Sequence, residues 1–353
     1  MYSGTRLLIA MIAIVPSIAA LGAPVSLRTG ASSAVDGYLE IVPDEYGSWA
    51  QPFATGGFGP NADQYNPIAG FQLRAVAFSS GFFLFTPNGQ RELLSDNVDW
   101  QGVADGMGGP PFSDDMSLTR TVTSPNVASD TNGDGIDDTA TSAFSVSGTG
   151  TDLAFTLQQR VAIFSGAVSF MQQTYGITNN GAEPIDLTLV RAFDGDLIFT
   201  STSVANDQVG TTANGAGLGQ YVFIQEPLNP ALAITLSGGA DGRFYYGGKD
   251  NFTPPNGGPP YDFGTDTEVW DAMGVPLSWQ NNIATVGYNT NGVSGTVAGA
   301  LDAFIGLDFA FSLDPGASVS FDVFHTYGQA TPVPEPSSVM LLLGCLTLLR
   351  RRR

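Results

Sequence analysis

The segment Ser129–Thr139, SDTNGDGIDDT, places oxygen-bearing side chains at alternate positions around two glycines. The candidate ligands are the side chains of Asp130, Asn132, Asp134 and Asp138 and the carbonyl oxygen of Ile136. Calcium takes six to eight oxygens at about 2.3–2.6 Å, and a short loop that turns at a glycine can wrap such oxygens around one point. The spacing therefore predicts a structural calcium site. The alternative is a surface turn that needs no ion, since Asp, Asn and Gly favour turns for local reasons.

This loop resembles the calcium loops of dockerins and thrombospondin type 3 repeats over nine residues. The resemblance implies a bound calcium ion that neutralises four carboxylates. The acid at position 12 of the helix-loop-helix form is absent, because Thr141 stands there. We therefore expect a loop between strands, with water or a distant carboxylate completing the coordination shell.

His325 is the only histidine and thus the only imidazole available for acid–base chemistry. It continues the alternation of Val319, Phe321 and Val323, so we interpret it as a partly buried structural residue at a strand end. The chain has no GxSxG, HExxH or phosphate-binding loop. Hydrolysis by paired carboxylates stays open as an alternative, because the separation of two carboxylates is not visible in a sequence.

Four tryptophans lie in or near loops, at positions 49, 100, 270 and 279. An aromatic face with acidic or amide neighbours suits a sugar ring. Trp270 and Trp279 are therefore candidates for a carbohydrate-binding surface. The competing interpretation is that the tryptophans pack in a large β core.

Both ends of the chain carry apolar segments that we assign to sorting. Residues 1–23 combine Arg6, an uncharged apolar run and a small-residue patch, as an export signal does. Near the other end, Pro334, Glu335 and Pro336 precede a short apolar helix at 337–349 and four arginines. The arginines are Arg350, Arg351, Arg352 and Arg353. Such a cluster favours the cytoplasmic side and would stop transfer through a membrane.

The order of these three C-terminal features resembles the PEP-CTERM sorting signal of bacteria, over residues 331–353. The resemblance implies recognition of Pro334, Glu335 and Pro336 by an exosortase, in addition to signal peptidase at the N-terminal end. It also implies an exported protein of the cell surface or extracellular matrix, associated with exopolysaccharide and transiently or permanently anchored by its C-terminal segment.

The composition excludes several classes of function. The chain has 33 acidic and 13 basic residues, a formal net charge of −20, and five of the basic residues lie in the two ends. Such a surface repels nucleic acid, so we expect no nucleic-acid partner. The only cysteine is Cys345, in the C-terminal apolar run, so neither a disulfide framework nor a thiolate metal site is expected between the ends.

The segment between the ends, residues 24–330, is predicted to be one all-β domain. Glycine is abundant, with 44 residues, and apolar residues alternate instead of repeating with helical spacing. We expect a large antiparallel β-sandwich of about ten strands or more with Gly/Pro-rich loops, and strands near 71–86, 153–164, 221–224 and 283–288. Two hairpins are predicted, one turning at Asp314-Pro315-Gly316 and one at Asn179-Asn180-Gly181.

These observations predict a non-catalytic exported surface or matrix protein rather than an enzyme. Two alternatives remain, namely a surface protein that resembles a carbohydrate-binding module and a glycoside-active enzyme that uses paired carboxylates.

Overall fold

The structure is a computed structural model of the 353-residue chain. It describes residues 25–49, 63–68, 71–74, 77–86, 91–94, 118–195, 207–212, 221–225, 232–238, 243–248, 295–301 and 303–328. The predicted signal helix (1–23) and the predicted C-terminal helix lie outside these residues, as does the predicted strand at 283–288. The limits of the predicted domain, residues 24 and 330, also lie outside the described residues.

Every regular element in the described ranges is a β-strand, and the all-β prediction is confirmed. The strands are β1 (Leu27–Arg28), β2 (Tyr38–Ile41), β3 (Asp63–Ile68), β4 (Phe71–Arg74), β5 (Ala77–Phe85), β6 (Arg91–Leu94), β7 (Thr119–Ser129), β8 (Thr139–Gly148), β9 (Thr151–Ser165), β10 (Val168–Asn179), β11 (Ile185–Gly195), β12 (Asp207–Thr212), β13 (Tyr221–Gln225), β14 (Ala233–Gly238), β15 (Arg243–Gly248), β16 (Gly295–Leu301), β17 (Ala303–Leu313) and β18 (Ser318–Tyr327). Over these residues we find no helix long and apolar enough to span a bilayer.

The strands form three sheets in which neighbouring strands are antiparallel. The large sheet has the order β16-β12-β13-β14-β18-β10-β9-β8-β7, and the second has the order β15-β17-β11-β5-β6. A small sheet contains β1 to β4 in sequence order. The predicted strands near 71–86, 153–164 and 221–224 correspond to β4 with β5, to β9 and to β13.

The nine-stranded and five-stranded sheets pack face to face as a sandwich. The rings of Phe309 in β17 and Phe321 in β18 lie 4.4 Å apart between centroids, and those of Phe82 in β5 and Tyr175 in β10 lie 4.7 Å apart. Alternate residues of each strand point to opposite faces, so the alternating apolar residues of both sheets fill the core between them.

Neither predicted hairpin is present, because the chain crosses from one sheet to the other at both turns. β10 pairs with β9 and β18, whereas β11 pairs with β5 and β17. Likewise β17 belongs to the five-stranded sheet and β18 to the nine-stranded sheet. Each of these strands buries a mainly apolar face, and two such faces can cover each other across the core instead of lying side by side in one sheet.

The turn chemistry at the second crossover is nevertheless as predicted. Gly316 has a φ of +75°, and Ala317 N donates to Asp314 O at 2.9 Å, as in a type II turn. The two crossovers are joined by Asn179, whose Nδ2 donates to the carbonyls of Glu183 and Leu313 at 2.9 Å each. Alternation predicts the strands correctly, while the choice of partner strand depends on contacts between distant parts of the chain.

Between β2 and β3 the chain enters the core as a segment without strand structure. We call residues 43–49, with the sequence PDEYGSW, the strap. Tyr46, Gly47, Ser48 and Trp49 are buried. A buried loop must find hydrogen-bond partners for its backbone, and the strands of the sandwich supply them.

Candidate functional site

The carbonyl groups of the strap accept hydrogen bonds from side chains of the surrounding strands. In the nine-stranded sheet the donors are Asn126 in β7, Ser142 in β8, Gln159 in β9, and Gln173 and Tyr175 in β10; in the five-stranded sheet the donor is Arg191 in β11. The acceptors are the five consecutive carbonyl oxygens from Pro43 to Gly47. The donor–acceptor distances range from 2.6 Å at Gln173 to 3.1 Å at Asn126 and Gln159.

The strap keeps its shape through its own hydrogen bonds. Asp44 Oδ1 accepts from the N–H groups of Tyr46 at 2.9 Å and Ser48 at 2.8 Å, and Asp44 N donates to Ser48 O at 2.8 Å. Gly47 adopts a φ of +91°, a conformation that favours glycine. A Cβ at Gly47 would lie 2.2 Å from Tyr175 Oη, so no other residue fits there while the strap is in place.

Trp49, Gln173, Arg191 and His325 form a group that we call the polar centre. Arg191 Cζ lies 4.7 Å from the centre of the Trp49 ring, whose centroid is 4.8 Å from that of His325 in an edge-on arrangement. Gln173 Nε2 and Arg191 Nη1 both donate to Gly47 O, at 2.6 and 2.9 Å. The side chains of Gln173, Arg191 and His325 have no measurable exposure, and Trp49 is 2% exposed.

Strand register explains why these polar residues point into the core. His325 in β18 lies opposite Met171 in β10 and Leu236 in β14, which are both buried. Arg191 lies between Phe82 in β5 and Leu307 in β17. Both polar residues thus occupy inward-facing positions of apolar rows.

The electrostatics of the polar centre favour a neutral imidazole beside a cation. Burial and the charge of Arg191 lower the pKa of His325 well below its ordinary value. Burial lowers the pKa of Arg191 as well, while Tyr175 and Asp44 partly offset that shift. A guanidinium nevertheless stays protonated in proteins, so Arg191 carries its charge and His325 is uncharged at neutral pH.

Several atoms of the polar centre have no hydrogen-bond partner in the structure. Within the described part of the chain, eight buried side-chain nitrogen or oxygen atoms lack one, and five of the eight belong to this group. They are Trp49 Nε1, Gln173 Oε1, Arg191 Nε, His325 Nδ1 and His325 Nε2. Buried polar groups are normally paired with protein or with water, so this concentration indicates a place where water or a ligand group binds.

A second ionisable pair lies beside Tyr46 of the strap. Glu92 in β6 is 2% exposed, and its Oε1 lies 3.9 Å from Nε of Arg120 in β7. Arg120 also lies over the ring of Tyr46, 5.0 Å from its centre. Burial raises the pKa of Glu92 to about 7, and Arg120 opposes the shift. Glu92 Oε2 is another of the atoms without a partner.

The structure brings together only part of the predicted calcium loop. Asp130, Asn132 and Asp134 lie in one exposed turn, where their oxygens accept N–H groups of the loop, such as Gly135 N on Asp130 Oδ2 at 2.7 Å. Asp138 is 1% exposed and turns inward, where its Oδ1 accepts from Thr131 and Thr139. Burial alone would raise the pKa of Asp138, but these hydrogen bonds lower it overall.

Over the residues that the structure describes, no group of three or more His, Cys, Asp or Glu side chains is arranged to hold a metal ion. Calcium binding by this loop stays a prediction. The exposed turn fits an ion in part, since an ionised carboxylate that accepts two N–H groups keeps further lone pairs.

The other predicted site residues lie outside the described residues. They are Trp270, Trp279, Pro334, Glu335, Pro336 and Arg350 to Arg353. Trp49, which the sequence places in or near a loop, lies in the strap and is buried in the core, which agrees with the competing interpretation for this tryptophan. His325 is fully buried rather than partly buried, although it lies on the predicted face of β18.

Sequence analysis missed Arg191, Gln173 and the strap. The sequence does contain a signal that Arg191 is buried. It occupies the same alternate positions as Leu187, Leu189 and Phe193, and it is therefore a cation on an apolar strand face. Gln173 also lies on the inward face of its strand, together with Tyr175. The strap gives no such signal, since PDEYGSW has the composition of an ordinary surface turn.

Comparison with known proteins gives only distant structural likenesses. No protein-family model matches the chain, and no curated protein matches its sequence. A galactose mutarotase-like protein from Lactobacillus casei is 9% identical with a TM-score of 0.33, over 85% of this chain and 99% of that protein. A galactose mutarotase related enzyme from Lactobacillus acidophilus is 7% identical with a TM-score of 0.27, over 64% and 76%.

A third likeness is to a protein from the human microbiome described as a kojibiose phosphorylase, at 8% identity and a TM-score of 0.34. The comparison covers 87% of this chain and 25% of the phosphorylase, so this chain spans about a quarter of that protein.

These findings correct two predictions. The chain was expected to be a non-catalytic surface protein and not an enzyme, and the comparisons contradict both expectations, because these three matched structures are described as a phosphorylase, a mutarotase related enzyme and a mutarotase-like protein. TM-scores below 0.5 transfer no activity to this chain. Its chemistry has to follow from its own side chains.

Proposed function

We propose that this chain is an enzyme that acts on a sugar by proton transfer at the polar centre. The observation that carries the proposal is the concentration of five partnerless buried atoms in Trp49, Gln173, Arg191 and His325. These atoms include donors, at Trp49 Nε1, Arg191 Nε and one imidazole nitrogen, and acceptors, at Gln173 Oε1 and the other imidazole nitrogen. A hydroxyl group both donates and accepts, so a polyhydroxylated ligand satisfies both kinds of atom.

The charge state of the centre suits acid–base chemistry on such a ligand. A neutral imidazole can take a proton at one nitrogen while the N–H at its other nitrogen donates. The guanidinium of Arg191 stabilises the negative charge that develops on an oxygen when it loses its proton, and this effect is strong in a water-excluded core.

Interconversion of the two anomers of an aldose is the simplest sugar reaction that needs proton transfer alone. The anomeric hydroxyl gives its proton to His325 while the bond between the anomeric carbon and the ring oxygen breaks. The N–H at the other nitrogen of His325 gives its proton to the ring oxygen, so the imidazole stays neutral and changes tautomer. Closure of the open aldehyde from either face reverses both proton transfers. No electron leaves the sugar, so no redox cofactor is required.

The test is anomer exchange in a panel of aldoses, followed by proton NMR with the full-length protein. We expect the wild-type chain to accelerate exchange of at least one aldose. His325→Phe, which keeps a ring beside Trp49 and Phe193, should lower the rate at least about 100-fold, the usual contribution of a general acid–base group.

The matched control is Val35→Thr, a substitution of similar shape at a residue that is 53% exposed, and it should leave the rate unchanged. Equal rates for the wild type and His325→Phe, with the variant folded by circular dichroism, would refute the role of His325. An absence of acceleration for every aldose would refute the proposed reaction.

A further inference from the structure

The strap lies against Gln173 and Arg191 of the polar centre, and the strand residues that it covers carry a set of hydrogen-bond donors. Building on the function proposed above, we infer that the strap occupies a groove for an extended oligosaccharide, and that lifting the strap exposes a row of donors for the oxygens of that chain. The donors are Asn126, Ser142, Gln159, Gln173, Tyr175 and Arg191.

Five of these donors form a row that crosses neighbouring strands of one sheet. β7, β8, β9 and β10 are adjacent, and the strap passes over them from Pro43 to Gly47. Neighbouring strands lie about 4.8 Å apart, so the row is on the order of 15 Å long. A groove of this length fits a linear chain of several sugar units rather than one monosaccharide.

The chemistry of the groove matches an acceptor-rich ligand better than a peptide. Backbone N–H groups of the strap are satisfied inside the strap itself, at Asp44, Tyr46, Gly47 and Ser48. From Pro43 to Gly47, side chains of the strands thus donate to the carbonyl oxygens of the strap, whereas N–H groups of the strap bond within the strap itself. A peptide in the groove would have N–H groups without partners, whereas ether and hydroxyl oxygens of a sugar chain accept without that cost.

The position of the polar centre at one end of this row links binding to chemistry. Gly47 O, the last acceptor in the row, receives hydrogen bonds from both Gln173 and Arg191. An oligosaccharide that replaced the strap would therefore place its terminal unit beside Gln173, Arg191 and His325, which belong to the strands and stay in the core. The internal hydrogen bonds of the strap allow it to leave as a folded turn.

Gly47→Ala tests the inference, since the new Cβ would lie 2.2 Å from Tyr175 Oη and 2.6 Å from Gln173 Nε2 with the strap in place. The variant should lift the strap and raise amide hydrogen exchange in residues 43–49 at least tenfold. It should also bind cello-, malto- or xylohexaose at least tenfold more tightly than the wild type in calorimetry.

The matched control is Gly316→Ala. Gly316 has a φ of +75°, so alanine brings comparable backbone strain, but its Cβ would meet no atom within 4 Å. Exchange at 43–49 and hexaose binding should equal those of the wild type. Faster exchange at 43–49 in Gly47→Ala without tighter binding of any of the three hexaoses would overturn the inference, as would tighter binding of only a PDEYGSW peptide.

A second measurement decides the matter if Gly47→Ala does not fold. Saturating hexaose should raise hydrogen exchange at residues 43–49 of the wild type, and unchanged exchange with all three sugars would overturn the inference. Its failure is separable from failure of the proposed reaction. Aldose turnover without strap opening would support the proposed reaction and refute the oligosaccharide groove. Hexaose binding without any aldose turnover would support the groove and refute the proposed reaction.

Discussion

At the scale of single residues, buried ionisable groups are the main departures from an apolar core. His325 and Glu92 both lie inside the sandwich, and burial pushes both towards their neutral forms, which lowers the pKa of His325 and raises that of Glu92. The two groups therefore respond to pH in opposite directions. Each makes the stability of the fold depend on pH near neutrality.

Glu92 gives the sharper prediction because its pKa rises from 4.5 to about 7 on folding. A carboxyl group with a raised folded-state pKa contributes stability that is fully present below pH 4.5 and is lost as the pH rises to about 7. Glu92→Gln has no such loss. Its free energy of unfolding, relative to that of the wild type, should rise by up to about 3 kcal/mol across this interval.

Urea denaturation at several pH values between 4.5 and 8 measures this difference. Glu183→Gln, at an exposed glutamate, serves as the control and should follow the wild type throughout. Parallel curves for the wild type and Glu92→Gln would show that Glu92 ionises normally in the fold.

Individual residues also show where sequence-based prediction stops. Alternation places His325 on the inward face of its strand, and the same rule applied to Arg191 would have marked a buried cation. No local pattern indicates that Gly47 O accepts from both Gln173 and Arg191, because the donors lie 126 and 144 positions away in the sequence. Contacts of that range depend on the packing of the whole sandwich.

At the scale of elements, strands are easier to predict than their partners. The period of two residues is a local property, and it identifies β9, β17 and β18 from the sequence alone. The two crossovers were predicted as hairpins because Asn-Gly and Pro-Gly turns accommodate either connection. Long-range packing, such as the 4.4 Å contact between the rings of Phe309 and Phe321, decides that the flanking strands face each other.

The loop between β7 and β8 is the element for which calcium is predicted. Its exposed turn holds Asp130, Asn132 and Asp134, and the resemblance to extracellular calcium loops implies weak binding, with a dissociation constant of roughly 10⁻⁴ to 10⁻³ M. Calcium at about 10 mM should then stabilise the chain by about 1–3 kcal/mol, visible as a higher melting temperature.

The combined change of Asp130→Asn and Asp134→Asn should abolish this response, because it removes two of the charges that attract the ion. Asp314→Asn, at an exposed turn in another loop, should retain it. An equal rise in melting temperature for all three proteins would mean that calcium acts elsewhere on the chain.

At the scale of the whole molecule, charge and the predicted sorting segments point to an exported protein. The net charge of −20 includes the four terminal arginines, so the segment before them is still more acidic. We predict that the arginine cluster stays on the cytoplasmic side and the domain lies outside, because Lys and Arg beside a membrane segment favour the cytoplasmic side. Export is compatible with an enzyme that acts on polysaccharide oxygens, since its substrate would then be extracellular.

We predict removal of both ends in a bacterial host that contains an exosortase. Intact-mass spectrometry of the protein from cells and medium should show loss of the segment near residues 1–23 and of the segment after the Pro-Glu-Pro triplet. Replacing Pro334, Glu335 and Pro336 by alanine should leave the C-terminal segment attached, because the triplet is the recognised sequence in the family that it resembles. Pro332→Ala, a proline outside the triplet, should be processed normally, and a full-length wild-type product in the cytoplasm would contradict the prediction.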